Sequence, residues 1–108
     1  MKLIIAIVSD EDGNSVLRAL NEEGFGVTKL ATTGGFLKQG NMTLLIGTEE
    51  DRLNEAIGIL KDKCHTRKKV TTASMISGIT GMIDPYPIEV EMGGVTIFVV
   101  DVDRFEKV

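Results

Sequence analysis

Two segments of this chain, KLIIAIV at residues 2–8 and VTIFVV at residues 95–100, are apolar at nearly every position. Side chains alternate between the two faces of a strand, so an unbroken apolar run needs cover on both faces. The rest of the chain offers two helices for the task. In SDEDGNSVLRALNEEGFG, Ser9 to Asp12 offer N-cap oxygens, Val16, Leu17 and Leu20 share one helical stripe, and Gly24 is the stop. In TEEDRLNEAIGILKDKC, Leu53, Ala56, Ile57 and Leu60 recur at helical spacing. There Thr48 and Asp51 are spaced as a capping box with aspartate in place of glutamate.

Residues 25–33 (FGVTKLATT) and 41–47 (NMTLLIG) read as two further strands, joined as a hairpin through a loop containing Gly34 and Gly35. Residues 68–73 read as a fourth strand, and residues 74–85 as a mixed Gly, Ser, Ile and Met segment without a clean period. YPIEVEMGGVTIFVVDV reads as a hairpin turning at Gly93–Gly94, with Pro87 near the start of its first strand. The resulting plan is α+β: a ferredoxin-like β-α-β-β-α-β sandwich with an additional C-terminal β-hairpin. The length of 108 residues fits one domain, 1–108.

Two helices cover one face of such a sheet and leave the other, equally apolar face open. Monomers rarely tolerate a large exposed apolar patch. The open faces are therefore expected to pack together in a closed homo-oligomer, of which a trimer is one solution.

Composition removes several function classes. Acidic residues outnumber basic ones by 16 to 12, for a net charge of -4, whereas nucleic-acid binding needs a surplus of Lys and Arg. No tryptophan and one tyrosine leave few platforms for stacking bases. Local positive charge exists in HTRKK at residues 65–69, enough for a small anion. Cys64, alone, cannot form an internal disulfide and reads as a thiol of a reducing compartment. No run is long enough to span a bilayer and no cleavage-site pattern follows the first strand. The expectation is a cytoplasmic protein without nucleic-acid or membrane partners.

Catalytic chemistry finds little material. Cys64 and His65 make two ligands where a metal site needs more. The lone histidine has no evident orienting partner for a serine nucleophile. The acidic pairs Asp10–Glu11 and Glu49–Glu50 suit the positive ends of helices, and Glu22–Glu23 is a solvated pair. Residues 74–85 read equally as a lid or as a connection whose methionines and isoleucines fill gaps.

The loop LATTGGFLKQGN, residues 30–41, carries more. Gly34, Gly35 and Gly40 let backbone N–H groups wrap an anion. Thr28, Thr32, Thr33 and Asn41 add neutral hydrogen-bonding groups, and Phe36 with Leu37 offers a surface for a purine. The loop is neither a Walker motif nor G-x-G-x-x-G. An ordinary Gly-rich hairpin with Phe36 and Leu37 tucked onto a neighbour accounts for the same residues, and such turns are common.

KLIIAIV, TKLATTGGFL followed by GN, and YPIEVEMGG followed by TIFVV closely resemble, in that order, the PII-like cyclic di-AMP receptors. The similarity runs from Met1 to Phe105 and is poorest between about Ala73 and Pro85. The resemblance implies a homotrimer of ferredoxin-like subunits related to PII signalling proteins. It implies a receptor rather than an enzyme, with no cofactor beyond its ligand cyclic di-AMP, held in clefts between subunits. Loop rearrangement would then regulate a downstream protein that the sequence does not identify.

Carried over residue by residue, hydrogen-bonding roles fall on Thr28, Asn41 and the backbone around Gly35 and Gly47. Phe36 and Leu37 match positions that enclose an adenine, and Phe98 matches an aromatic lining the cleft. Gly26 stands where the family pattern has an arginine, so one cation is missing, and Lys29 or Lys38 are the candidates to replace it. The FEKV ending also departs from the polar ending typical of the family. The Gly26 departure keeps a PII-like sensor of another nucleotide, such as ATP, as an alternative. A small acylphosphatase-like enzyme on the same fold is a further one, although no arginine falls in a phosphate-cradling loop.

Overall fold

The structure is a computed structural model. It describes residues 1–30, 40–76 and 83–108, and for residues 67–76 and 83–92 it describes the backbone alone. The elements run β1 (Lys2–Ser9), α1 (Asp10–Glu22), β2 (Gly26–Leu30), β3 (Asn41–Thr48), a 3-10 turn (Glu50–Arg52), α2 (Leu53–Lys63), β4 (Arg67–Ile76), β5 (Ile83–Met92) and β6 (Val95–Asp101). A four-stranded antiparallel sheet in the order β2-β3-β1-β6 carries both helices on one face, and β4 and β5 pair separately as a two-stranded antiparallel ribbon. This is a small α+β fold compatible with a ferredoxin-like or PII-like plan.

The strand expected at residues 68–73 exists but does not join the main sheet. It lengthens to Arg67–Ile76 and pairs with β5, so the fourth place in the sheet passes to β6. The expected hairpin at Gly93–Gly94 is likewise corrected, because β5 and β6 pair with different partners. Gly93 and Gly94 both have positive φ (82° and 84°), a pair of left-handed residues that redirects the chain from the ribbon into the sheet. A Cβ on Gly94 would lie 2.7 Å from the Thr66 hydroxyl, so the chain leaves for the ribbon and returns from it at one tight neck. Pro85 and Pro87 fall within β5, where a two-stranded ribbon has only edges to offer. Both ends of the segment expected to be irregular, residues 74–76 and 83–85, are strand.

The core follows the two periodicities. Ile4, Ala6 and Val8 of β1 and Met42, Leu44 and Ile46 of β3 are buried beneath Val16 and Leu20 of α1 and Ala56 and Leu60 of α2, with Cys64 at the end. Each fully buried aliphatic side chain contributes on the order of 1.5–3 kcal/mol. Helix α1 ends in a Schellman motif: the Gly24 N–H donates to the Asn21 carbonyl (3.0 Å) and the Phe25 N–H to the Leu20 carbonyl (3.0 Å). Gly24 takes the left-handed conformation (φ 84°), as expected of the stop, and Leu20 and Phe25 both enter the core.

Arg52 stitches this corner to α2. Its Nη2 donates to the Glu23 carbonyl at 2.7 Å, and its guanidinium lies 4.1 Å over the Phe25 ring. The helix starts differ from expectation. Thr48 remains in β3, paired with Lys2, and its hydroxyl donates to the Glu49 carbonyl (3.1 Å). Asp51 belongs to the 3-10 turn, so no capping box forms and α2 begins at Leu53. At α1, Ser9 occupies the N-cap, but its hydroxyl bonds Asp12 Oδ2 (3.2 Å) rather than a backbone N–H.

Registers define the opposite face of the sheet. Leu3, Ile5 and Ile7 of β1 lie beside Val100, Phe98 and Thr96 of β6, and across from Gly47, Leu45 and Thr43 of β3. Among the described residues no helix covers this face. Phe98 is 53% exposed, Val100 43% and Leu30 44%. The expected uncovered apolar face is present in the chain.

Candidate functional site

Gly35, Phe36, Leu37 and Lys38 lie outside the described residues. The other four candidates, Thr28, Asn41, Gly47 and Phe98, all belong to the face that the helices leave open. Pairing fixes this: Thr28 stands opposite Leu45, Leu45 opposite Ile5, and Ile5 opposite Phe98, forming one row across all four strands. The next row runs Gly26, Gly47, Leu3, Val100. Strands neighbour one another at about 4.8 Å, so Thr28 and Phe98 stand roughly 14 Å apart across the sheet.

One cleft, of about 550 Å³, occupies the β2–β3 end of this face. Thr28, Leu45 and the facing glycines Gly26 and Gly47 line it, together with Leu3 and with Phe105 and Lys107 from beyond β6. A Cβ built on Gly26 or Gly47 meets no atom within 4 Å. The two glycines therefore leave bare backbone beneath open space, an arrangement that admits close approach of a ligand.

Asn41 lies elsewhere. It lines a second cleft, of about 350 Å³, with Ser9, Thr66 and Thr96 and the Gly93–Gly94 turn. The start of β3 is fixed there by the Asp10 N–H, which donates to the Gly40 carbonyl at 3.0 Å. Asn41 and Gly47 stand at opposite ends of β3, about 20 Å apart at ~3.4 Å per residue. A single chain thus brings Thr28 and Gly47 together and holds Asn41 at a distance.

The charges sort by face. Lys29 pairs with Leu44, on the helix side, and so projects away from Thr28. It does not replace an arginine at position 26. Lys2, also on the helix side, pairs with Asp101: the hydrogen bond raises the Lys2 pKa and lowers that of Asp101. Arg52 is committed to Glu23, Phe25 and Glu55. The Met1 ammonium at the 550 Å³ cleft pairs with Glu49 Oε2 (3.9 Å), and among the side chains that line the cleft Lys107 is the cation. Sequence reasoning missed it, along with Phe105, because residues 102–108 follow no strand or helix period that assigns them to a face.

Among the described residues no group of three or more His, Cys, Asp or Glu side chains could hold a metal ion, and no helix is long and apolar enough to cross a membrane.

Comparison with known proteins supplies the class. A crystal structure of a functionally unknown protein from Pediococcus pentosaceus is 42% identical, with a TM-score of 0.76, covering 99% of this chain and 96% of that one. The family model described as cyclic-di-AMP receptor matches residues 1–108, the whole chain. The uncovered sheet face, with Thr28, Gly47 and Phe98 in adjoining rows, belongs to a chain whose full length answers to that description. This protein is a member of the cyclic-di-AMP receptor family, a cyclic di-AMP-binding signalling protein.

Proposed function

We propose that the chain acts as one PII-like domain over residues 1–108, and that it binds cyclic di-AMP on the open sheet face, at clefts completed by a second copy in a homotrimer. The observation that carries this reading is the division of the polar candidates. Thr28 and Gly47 line one cleft and Asn41 another, too far apart to enclose one small molecule within a single chain. A neighbouring copy seated on the apolar rows brings its own Asn41 to the Thr28–Gly47 cleft. The same contact buries Ile5, Leu45 and Phe98, which the helices leave uncovered.

In this reading Phe36 and Leu37 enclose an adenine and the backbone at Gly35 supplies a hydrogen bond, as the family resemblance implies. Ligand is the only small molecule required, no bond in it is broken, and occupancy is relayed to a downstream protein. The buried thiol of Cys64, outside any disulfide, fits a reducing, cytoplasmic setting.

Calorimetric titration with cyclic di-AMP tests the site. One ligand per chain is expected, with Asn41→Ala weakening binding by about 1–3 kcal/mol through loss of a desolvated hydrogen bond. Unchanged affinity in that variant moves the site off Asn41.

A further inference from the structure

We propose that Lys107 is the residue that meets a phosphate of the ligand, and that Phe105 and Lys107 form an aromatic and a charged wall of the nucleotide cleft. The inference rests on the placement of cyclic di-AMP on the open face. It assigns the charge of that site to a segment outside the sheet.

The Thr28–Gly47 cleft has a bare glycyl floor and, among the described residues of the sheet, no cationic side chain. Gly26 contributes no side chain, Lys29 points to the helix face, and Arg52 is held by Glu23 and Glu55. A cyclic dinucleotide carries two phosphodiester charges, and burying an anion without a partner is costly. Among the described residues, the chain after β6 supplies a lysine. Its start is tied to the sheet edge by the Val102 N–H, which donates to the Met1 carbonyl at 3.1 Å. Two of the following residues, Phe105 and Lys107, then line the cleft beside Gly26, Thr28 and Gly47.

Arg104 of this segment pairs with Glu106 at 2.8 Å, and neither these two nor Asp103 lines the cleft. Among the described residues no ion pair or hydrogen bond engages Lys107. Phe105 is 63% exposed in the single chain, a large apolar side chain kept at the cleft with nothing packed over it. An aromatic wall and an uncommitted ammonium at a glycyl floor suit a purine nucleotide and its phosphate. Because a lysine acts as a point charge, its contribution is screened by salt.

The test is calorimetric titration of the full chain with cyclic di-AMP at low and high potassium chloride. Lys107→Gln is expected to weaken binding about tenfold, the scale of one lost charge-assisted hydrogen bond, and to flatten the salt dependence. Lys107→Glu should weaken it further, and Lys107→Arg should restore wild-type affinity. Unchanged melting temperatures exclude misfolding as the cause. If Lys107→Gln binds as wild type with the same salt dependence while Asn41→Ala is impaired, the assignment of Lys107 fails and the open-face site stands. If Asn41→Ala also binds as wild type, the open-face site fails and Lys107 falls with it.

Discussion

Leu44 and Leu45 are consecutive residues of one strand with opposite fates. Leu44 faces the helices and is fully buried, whereas Leu45 faces the open side and borders the 550 Å³ cleft. The same division holds along β1, where Ile4, Ala6 and Val8 make the core and Leu3, Ile5 and Ile7 do not. Both sets are equally apolar in composition. Hydrophobicity alone therefore does not distinguish residues that hold this chain together from residues that present a surface; strand parity relative to the helices does.

Substitutions on the two sides break or sharpen this contrast. The largest effect is expected from Leu44→Ala, which should cost about 2–5 kcal/mol in denaturant unfolding, because the site is closed on all sides. Phe98→Asp, on the other face, should leave the unfolding of the chain itself nearly unchanged while lowering the assembly mass in sedimentation. Equal destabilisation by the two would erase the distinction between the faces. Gly94→Ala comes next, at about 1–2 kcal/mol, since a side chain is strained at φ 84° and meets the Thr66 hydroxyl. Arg52→Ala should cost about 1 kcal/mol through loss of its contacts with Phe25 and the end of α1.

The smallest effect concerns pH. Asp101 has a folded pKa held below its ordinary value by the hydrogen bond to Lys2, and the Lys2 pKa is raised by the same bond. The pair therefore contributes its full, small stabilisation between the ordinary carboxylate and ammonium ranges. That contribution is lost as pH falls through the lowered Asp101 value, and again as pH rises through the raised Lys2 value. Lys2→Met should flatten the acid limb of a melting-temperature profile slightly. An unaltered limb would mean that the surface pair contributes nothing measurable.

Much of this architecture was legible because periodicity is local. The unbroken apolar runs at 2–8 and 95–100 announced a sheet with two apolar faces, and the Val16–Leu20 and Ala56–Leu60 stripes announced cover for one of them. Pairing between distant strands was less legible. The Gly93–Gly94 turn has the composition of a hairpin, but two positive φ values steer β6 to β1, nearly the whole chain length away. The helix start at residue 48 failed for a similar reason: Thr48 matches a cap by spacing, yet β1 holds it in the sheet.

The candidate site divides in the same way. Thr28, Gly47 and Phe98 share one face through the strand registers, and parity along a strand can be counted from sequence once the pairing is known. That Asn41 belongs to a separate cleft, and that Lys107 shares a cleft with Thr28, depend on the three-dimensional return of the chain.

The central claim is that the open face carries the ligand and that two copies complete the site. A crystal structure of the protein with cyclic di-AMP tests it most directly. The account predicts ligand against Thr28, Gly47 and Lys107 of one copy and Asn41 of the adjoining copy, with the apolar rows buried between them. Ligand on the helix face, or held entirely by one chain with Asn41 uninvolved, would contradict it.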